Sequence, residues 1–137
     1  MATRQELRDL AFLRLKEAEA LFEAELFDGC AYLCGYAVEL ALKARVCATL
    51  GVDEYPRRME RTFKTHDFDE LKLLAGMEYE FLTARPGLLS NWSIASEWKP
   101  EQRYDAQGTC DRARAEKVLN AVRSKPDGVL ECISLHW

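Results

Sequence analysis

The chain has 137 residues, 48% of them hydrophobic, with 19 basic against 23 acidic side chains and a formal net charge of -4. That size and apolar content describe one globular domain with a single core, residues 1–137, and exclude a disordered chain. The acidic balance excludes a broad basic coat, so any nucleic-acid contact has to be local and specific.

Helical spacing dominates from the start. The opening MATRQELRDL holds acidic residues and no long apolar core, so it does not read as a secretory signal. Thr3 and Glu6 have capping-box spacing, in which the hydroxyl accepts from a free amide while the carboxylate reaches back. Leu7, Ala11, Leu15, Ala18, Phe22 and Leu26 then recur along one face of a first helix. Phe27-Asp28-Gly29 is expected to break or sharply turn the chain.

Residues 30–50, CAYLCGYAVELALKARVCATL, are apolar on nearly every side, and their only charges are Glu39, Lys43 and Arg45. A helix of that kind sits inside a fold. Gly51 is placed to end it. Two long helices joined by a short turn pack antiparallel. The apolar surface of this segment exceeds what one neighbouring helix covers, which predicts a dimer interface near it. Its longest charge-free stretch, residues 29–38, is too short to span a bilayer, so the expected protein is soluble and cytoplasmic with no membrane partner.

Residues 52–65 form a polar, locally basic loop in which Arg57, Arg58, Arg61 and Lys64 outweigh Glu60. Asp67 and Glu70 again have capping-box spacing and start a third helix, with Phe68, Leu71, Leu74 and Ala75 as its apolar stripe and Gly76 at its end. A short helix is expected over residues 77–84, stopped by Pro86-Gly87. The following LLSNWSIASEWKPEQRYD reads as irregular with a helical turn at most. Another helix runs from Gln107 or Asp111 to Arg123, closed by Lys125-Pro126-Asp127-Gly128. The tail places Val129, Cys132, Ile133 and Trp137 on one helical face, with a strand as the alternative. These elements make an all-α fold.

The cysteines, Cys30, Cys34, Cys47, Cys110 and Cys132, include no C-x-x-C pair, and only two histidines accompany them. They read as small buried hydrophobes in a reducing compartment, not as a disulfide framework or a zinc site. No metal or cofactor is expected. Glycine-rich phosphate loops, H-E-x-x-H and calcium-loop patterns are absent.

Three groups of residues carry candidate chemistry. His66 follows Arg61 by five positions, and an Arg with a His can serve a metal-independent ribonuclease: the imidazole shuttles a proton and the guanidinium holds the phosphate. The plainer reading is a histidine hydrogen-bonded at a helix start. Tyr36, Glu39 and Lys43 share one helix face and can present a phenol and an ion pair to a nucleotide or a second subunit. Alternatively, Glu39 and Lys43 are an ordinary ion pair one turn apart. Trp98, Arg103 and Tyr104 can stack on a base and clamp a phosphate, or can pin an irregular segment to the core.

AYLCGYAVELALKA, KTHDFDELKLL, EWKPEQRYD and then DGVLECI, in that order, resemble the HEPN domain family from about residue 10 onward. The resemblance implies an up-and-down bundle of four or five helices, often dimeric. It also implies a nucleotide- or RNA-binding role, commonly beside a separate minimal nucleotidyltransferase in toxin–antitoxin-like or defence pairs. Glu39 and Lys43 match the family's Glu-x-x-x-Lys, His66 and Asp67 its His-Asp step, and Arg103 and Tyr104 its late Arg-Tyr. Ribonuclease members carry an Arg, a polar residue and then a His late in the bundle. Here that spacing occurs early, at Arg61-Thr62 through His66, and no His follows Arg103-Tyr104 at that distance. The leading expectation is therefore a non-catalytic, dimeric binding module, with contacts drawn from Tyr36, Glu39, Lys43, Arg57, Arg58, His66, Asp67, Trp98, Arg103 and Tyr104. The alternatives are an endoribonuclease using Arg61 and His66, and a purely structural helical dimer.

Overall fold

A computed structural model describes residues 2–56, 61–83 and 85–137. Helix α1 (Arg4–Glu23) starts on the capping box: Thr3 Oγ1 accepts from the Glu6 amide at 3.1 Å, and the Glu6 carboxylate accepts from the Thr3 amide at 2.7 Å. Two amides that a helix start leaves without a partner are thereby satisfied. Leu7, Ala11 and Ala18 are buried, and Leu15 and Phe22 pack against the core.

The turn after α1 differs from the sequence expectation. It falls at residues 24–26, with Glu25 at φ 62°, and Leu26 is exposed. Helix α2 (Phe27–Leu50) takes in Phe27-Asp28-Gly29 as its first turn. Gly29 does not break the chain there; its missing side chain lets Leu21 of α1 approach closely. The Asp28 carboxylate accepts from the backbone amides of Gly108 and Cys110, each at 2.7 Å. Those amides, Cys110 first, hold its carboxyl below the usual range. A lowered folded value stabilises above the unfolded pKa of about 4, and that contribution is lost as pH falls through the folded value. Asp28→Ala should therefore unfold at a lower temperature than the wild type at pH 7, with the gap closing below about pH 4. A gap of constant size down to about pH 2 would overturn the assignment.

Every residue from 37 to 44 of α2 is buried. The reason is topological: α1 packs along its length, and the later elements close over the remaining faces. They are α3 (Phe68–Leu74), α5 (Pro86–Ala95), the 3-10 turn Pro100–Tyr104, α6 (Arg112–Arg123) and α7 (Val129–Ser134). This corrects the argument for a dimer interface at the central helix, because its apolar surface is covered within one chain. Gly51, at φ 66°, ends α2 in the left-handed conformation that suits glycine. The chain then returns to the start of α1, where the Arg4 amide donates to Asp53 O at 2.6 Å and the Tyr55 amide to Ala2 O at 3.2 Å.

The second half holds the other corrections. Asp67 caps α3, accepting from the Glu70 amide at 3.0 Å. Helix α4 (Glu78–Thr83) forms where a short helix was expected. Pro86-Gly87, read as a stop, instead opens α5, in the segment read as irregular. Proline suits a first helical position because its ring presets φ and its missing N–H would have had no partner. Leu88, Trp92 and Ala95 supply the buried face. Asp111 caps α6, and the tail is helical as α7, not a strand. Among the described residues there is no strand beyond an isolated bridge between Thr3 and Glu54, and no helix is long and apolar enough to cross a membrane. All five cysteines are free, and all but Cys110 are buried.

Candidate functional site

A carboxylate in the middle of an apolar helix needs partners, because an unpaired buried charge is costly. Glu39 of α2 is 2% exposed and has two. Lys43 Nζ donates to its Oε1 at 2.8 Å, and His66 Nδ1 lies 2.6 Å from the same oxygen. The Lys43 ammonium also sits 5.3 Å from the centre of the Tyr55 ring, and the Tyr55 hydroxyl donates to Phe63 O at 2.7 Å. Glu39 Oε2 has no hydrogen-bond partner among the described residues. His66 arrives from the link before α3, where Thr65 Oγ1 accepts from the Asp67 amide and Asp67 caps the helix. A carboxylate that already accepts from an ammonium accepts from the imidazole too, so Nδ1 carries the hydrogen. The His66 side chain is 55% exposed. Its Nε2 is left to act.

His66 lines a groove of about 370 Å³ with Lys64, Asp67, Asp69, Trp98, Lys99 and Glu101 among its other walls. The charge there is mixed, and Asp67 spends one oxygen on the α3 cap. Trp98 forms a wall and is not an open platform. It is 6% exposed, its Nε1 donates to Tyr32 O at 3.1 Å, and its ring stacks on Phe68 with centroids 5.2 Å apart. Gly35 makes the seat, since a Cβ there would collide with the indole.

Tyr36 does not join the Glu39 group. It is half-buried and stacks on Tyr32 with centroids 6.4 Å apart, and the Arg14 guanidinium lies 5.9 Å from its ring centre. Arg103 is exposed and lies 4.9 Å from the centre of the Tyr104 ring, and the Tyr104 and Tyr32 side chains raise its pKa above the ordinary range. The result is a row of Arg14, Tyr36, Tyr32, Arg103 and Tyr104. Tyr32 and Arg14 were missed in the sequence, although Tyr32 stands one turn before Tyr36 on the same face. Arg57 and Arg58 lie outside the described residues, as does the side chain of Arg61. Among the described residues, no group of His, Cys, Asp or Glu gathers to hold a metal ion.

Three stretches weighed separately in the sequence therefore meet around one helix: Glu39–Lys43, His66–Asp67 and the Trp98–Tyr104 segment. An all-α bundle wrapped on a buried helix, with that helix's Glu and Lys engaging a His from ahead of the third helix, defines a small helical module with a polar centre. The chain belongs to the HEPN domain family, which matches residues 5–124. The match spans all three stretches and supports a nucleotide- or RNA-related module in general. A comparison with curated proteins and another with solved structures each found no match.

Proposed function

We propose that this is a non-catalytic, homodimeric, cytoplasmic HEPN module that binds a nucleotide or an RNA segment at the His66 groove. In this reading it acts with a separately encoded nucleotidyltransferase in a toxin–antitoxin-like or defence pair. The observation that carries the binding reading is the clamp on His66: buried Glu39 fixes Nδ1 at 2.6 Å, and the half-exposed imidazole lines the groove together with Lys64 and Lys99. Lysines meet phosphate as point charges, while Asp69 and Glu101 accept from base or ribose donors. Mixed charge suits a nucleoside phosphate better than a bare polyphosphate. The neighbouring Tyr36–Tyr32–Arg103–Tyr104 row offers rings and a guanidinium for a second base. Homodimerisation and the paired nucleotidyltransferase rest on family membership alone.

Isothermal titration of the full chain with mononucleotides and a short single-stranded RNA tests the binding reading. Saturable binding is expected, weakened about tenfold or more by His66→Gln or Lys99→Ala, equivalent to about 1.4 kcal/mol. If nothing binds, the groove has only a structural role. Light scattering that gives a monomer at micromolar concentration would remove the dimer.

One observation favours a second reading, a metal-independent endoribonuclease with Arg61 as phosphate clamp. A histidine whose Nδ1 is held by a carboxylate has the tautomer that an acid–base shuttle needs. RNA cleavage in chelator, with a bell-shaped pH profile and abolished by His66→Ala in a folded protein, would replace the non-catalytic reading. Intact RNA across neutral pH would remove the nuclease.

A further inference from the structure

We infer that the end of the bundle where α1 begins and α2 finishes holds a second anion site, one for a phosphate group, built by Arg4, Arg8 and Arg45. Most described arginines have an acidic partner: Arg14, Arg85, Arg112, Arg114 and Arg123 each pair with a carboxylate. Arg4, Arg8 and Arg45 pair with none among the described residues. The tail ties Arg8 and Arg45 together. Arg45 Nη1 donates to His136 O at 2.5 Å, and the Arg8 guanidinium lies 5.9 Å from the centre of the Trp137 ring. Arg4 is one turn before Arg8 on the same face of α1.

Each of the three half-buried side chains keeps its Nε out of solvent and without an acceptor among the described residues. Burial, and next the like charge of Arg4, push the Arg8 pKa below its ordinary value, while Asp9 pulls the other way. Like charges one turn apart on a helix repel, and buried donors without acceptors are rare in native proteins. Such a cluster is under-compensated in charge as it stands, and an anion held by the terminal guanidinium nitrogens offsets that repulsion. Forked guanidiniums match phosphate oxygens in pairs, and a phosphate offers more acceptors to several forks than a carboxylate does. The site is separate from the His66 groove, because Arg45 stands six residues beyond Glu39, roughly 120° away around α2.

The test is calorimetric titration of the full chain with sodium phosphate at constant ionic strength in a chloride background. Parallel arms use a short RNA with a 5′-phosphate and the same RNA with a 5′-hydroxyl. Saturable phosphate binding is expected in the wild type, weakened at least tenfold in Arg8→Gln and in Arg4→Gln. The same phosphate affinity is expected in His66→Gln. A preference for the 5′-phosphate RNA that Arg8→Gln removes assigns the site to a terminal monoester, and equal binding of both RNAs that Arg8→Gln weakens assigns it to backbone diesters. In chloride alone, Arg8→Gln should melt at or above the wild-type temperature, since it removes a repulsion. If Arg8→Gln fails to fold, Arg4→Gln and Arg45→Gln carry the same comparison. The site is overturned if phosphate does not bind the wild type, if the Arg variants bind it as the wild type does, or if His66→Gln abolishes it. A missing groove in the nucleotide titrations leaves this result untouched, so the two readings fail separately.

Discussion

Glu39→Ala is expected to lower the free energy of unfolding by about 3–5 kcal/mol, the usual cost of removing one partner from a buried ion pair. The Lys43 and Glu39 side chains are 11% and 3% exposed, so water cannot take over when the carboxylate is gone. The ammonium would be left against the Tyr55 ring with no counter-charge. His66 would lose the acceptor that fixes its Nδ1, so nucleotide binding should fall together with stability. Glu39→Gln keeps the volume and one acceptor and should cost less. Replacing both partners, with Glu39→Leu and Lys43→Met, should recover much of the loss, because an apolar pair of similar volume needs no desolvation. Urea unfolding followed by circular dichroism measures all four proteins, and unchanged slopes would certify that the comparison is one of stability. A cost for Glu39→Ala below about 1 kcal/mol would mean that the pair is solvated, and the site as described would fail.

Gly35→Ala is expected to be a strongly damaging one-carbon change. The new Cβ would occupy the space of the Trp98 ring, which is backbone-anchored through Tyr32 O and stacked on Phe68. Overpacking of this kind costs about 1–3 kcal/mol when neighbours can shift. If the indole is expelled, the loss approaches the about 3–5 kcal/mol of a buried tryptophan deletion. The readouts are the denaturation midpoint and a red shift in tryptophan emission. A double-mutant cycle isolates the cause: in a Trp98→Ala background, Gly35→Ala should be nearly silent. Equal cost in both backgrounds would place the strain elsewhere. Because Trp98 also walls the His66 groove, Gly35→Ala should weaken ligand binding although it replaces no groove residue.

The family, the all-α class and the central place of α2 were legible in the sequence. Each is written in local signals: the Thr3–Glu6 box, the Asp67 cap, Gly51 after Leu50, and an apolar run with no polar face. The misreadings share a cause, since proline and glycine carry opposite meanings by context. Pro86 opens α5 because its ring suits a first turn, and Gly29 stays helical because Leu21 needs the room. Neither fact can be read without knowing what packs nearby.

The pattern of capping residues and apolar spacing by itself determined which segments coil and which one lies at the centre, because those preferences act within a turn or two of the chain. Only the tertiary structure decided what the polar groups do. It joined Glu39 to His66 across 27 positions, moved Tyr36 away to Arg14, and turned Trp98 inward over Gly35. It also brought Arg45 to the His136 carbonyl and Arg8 to the Trp137 ring. Such pairings depend on which helix faces which, a choice made by closing long loops over a shared core, and no local propensity encodes it.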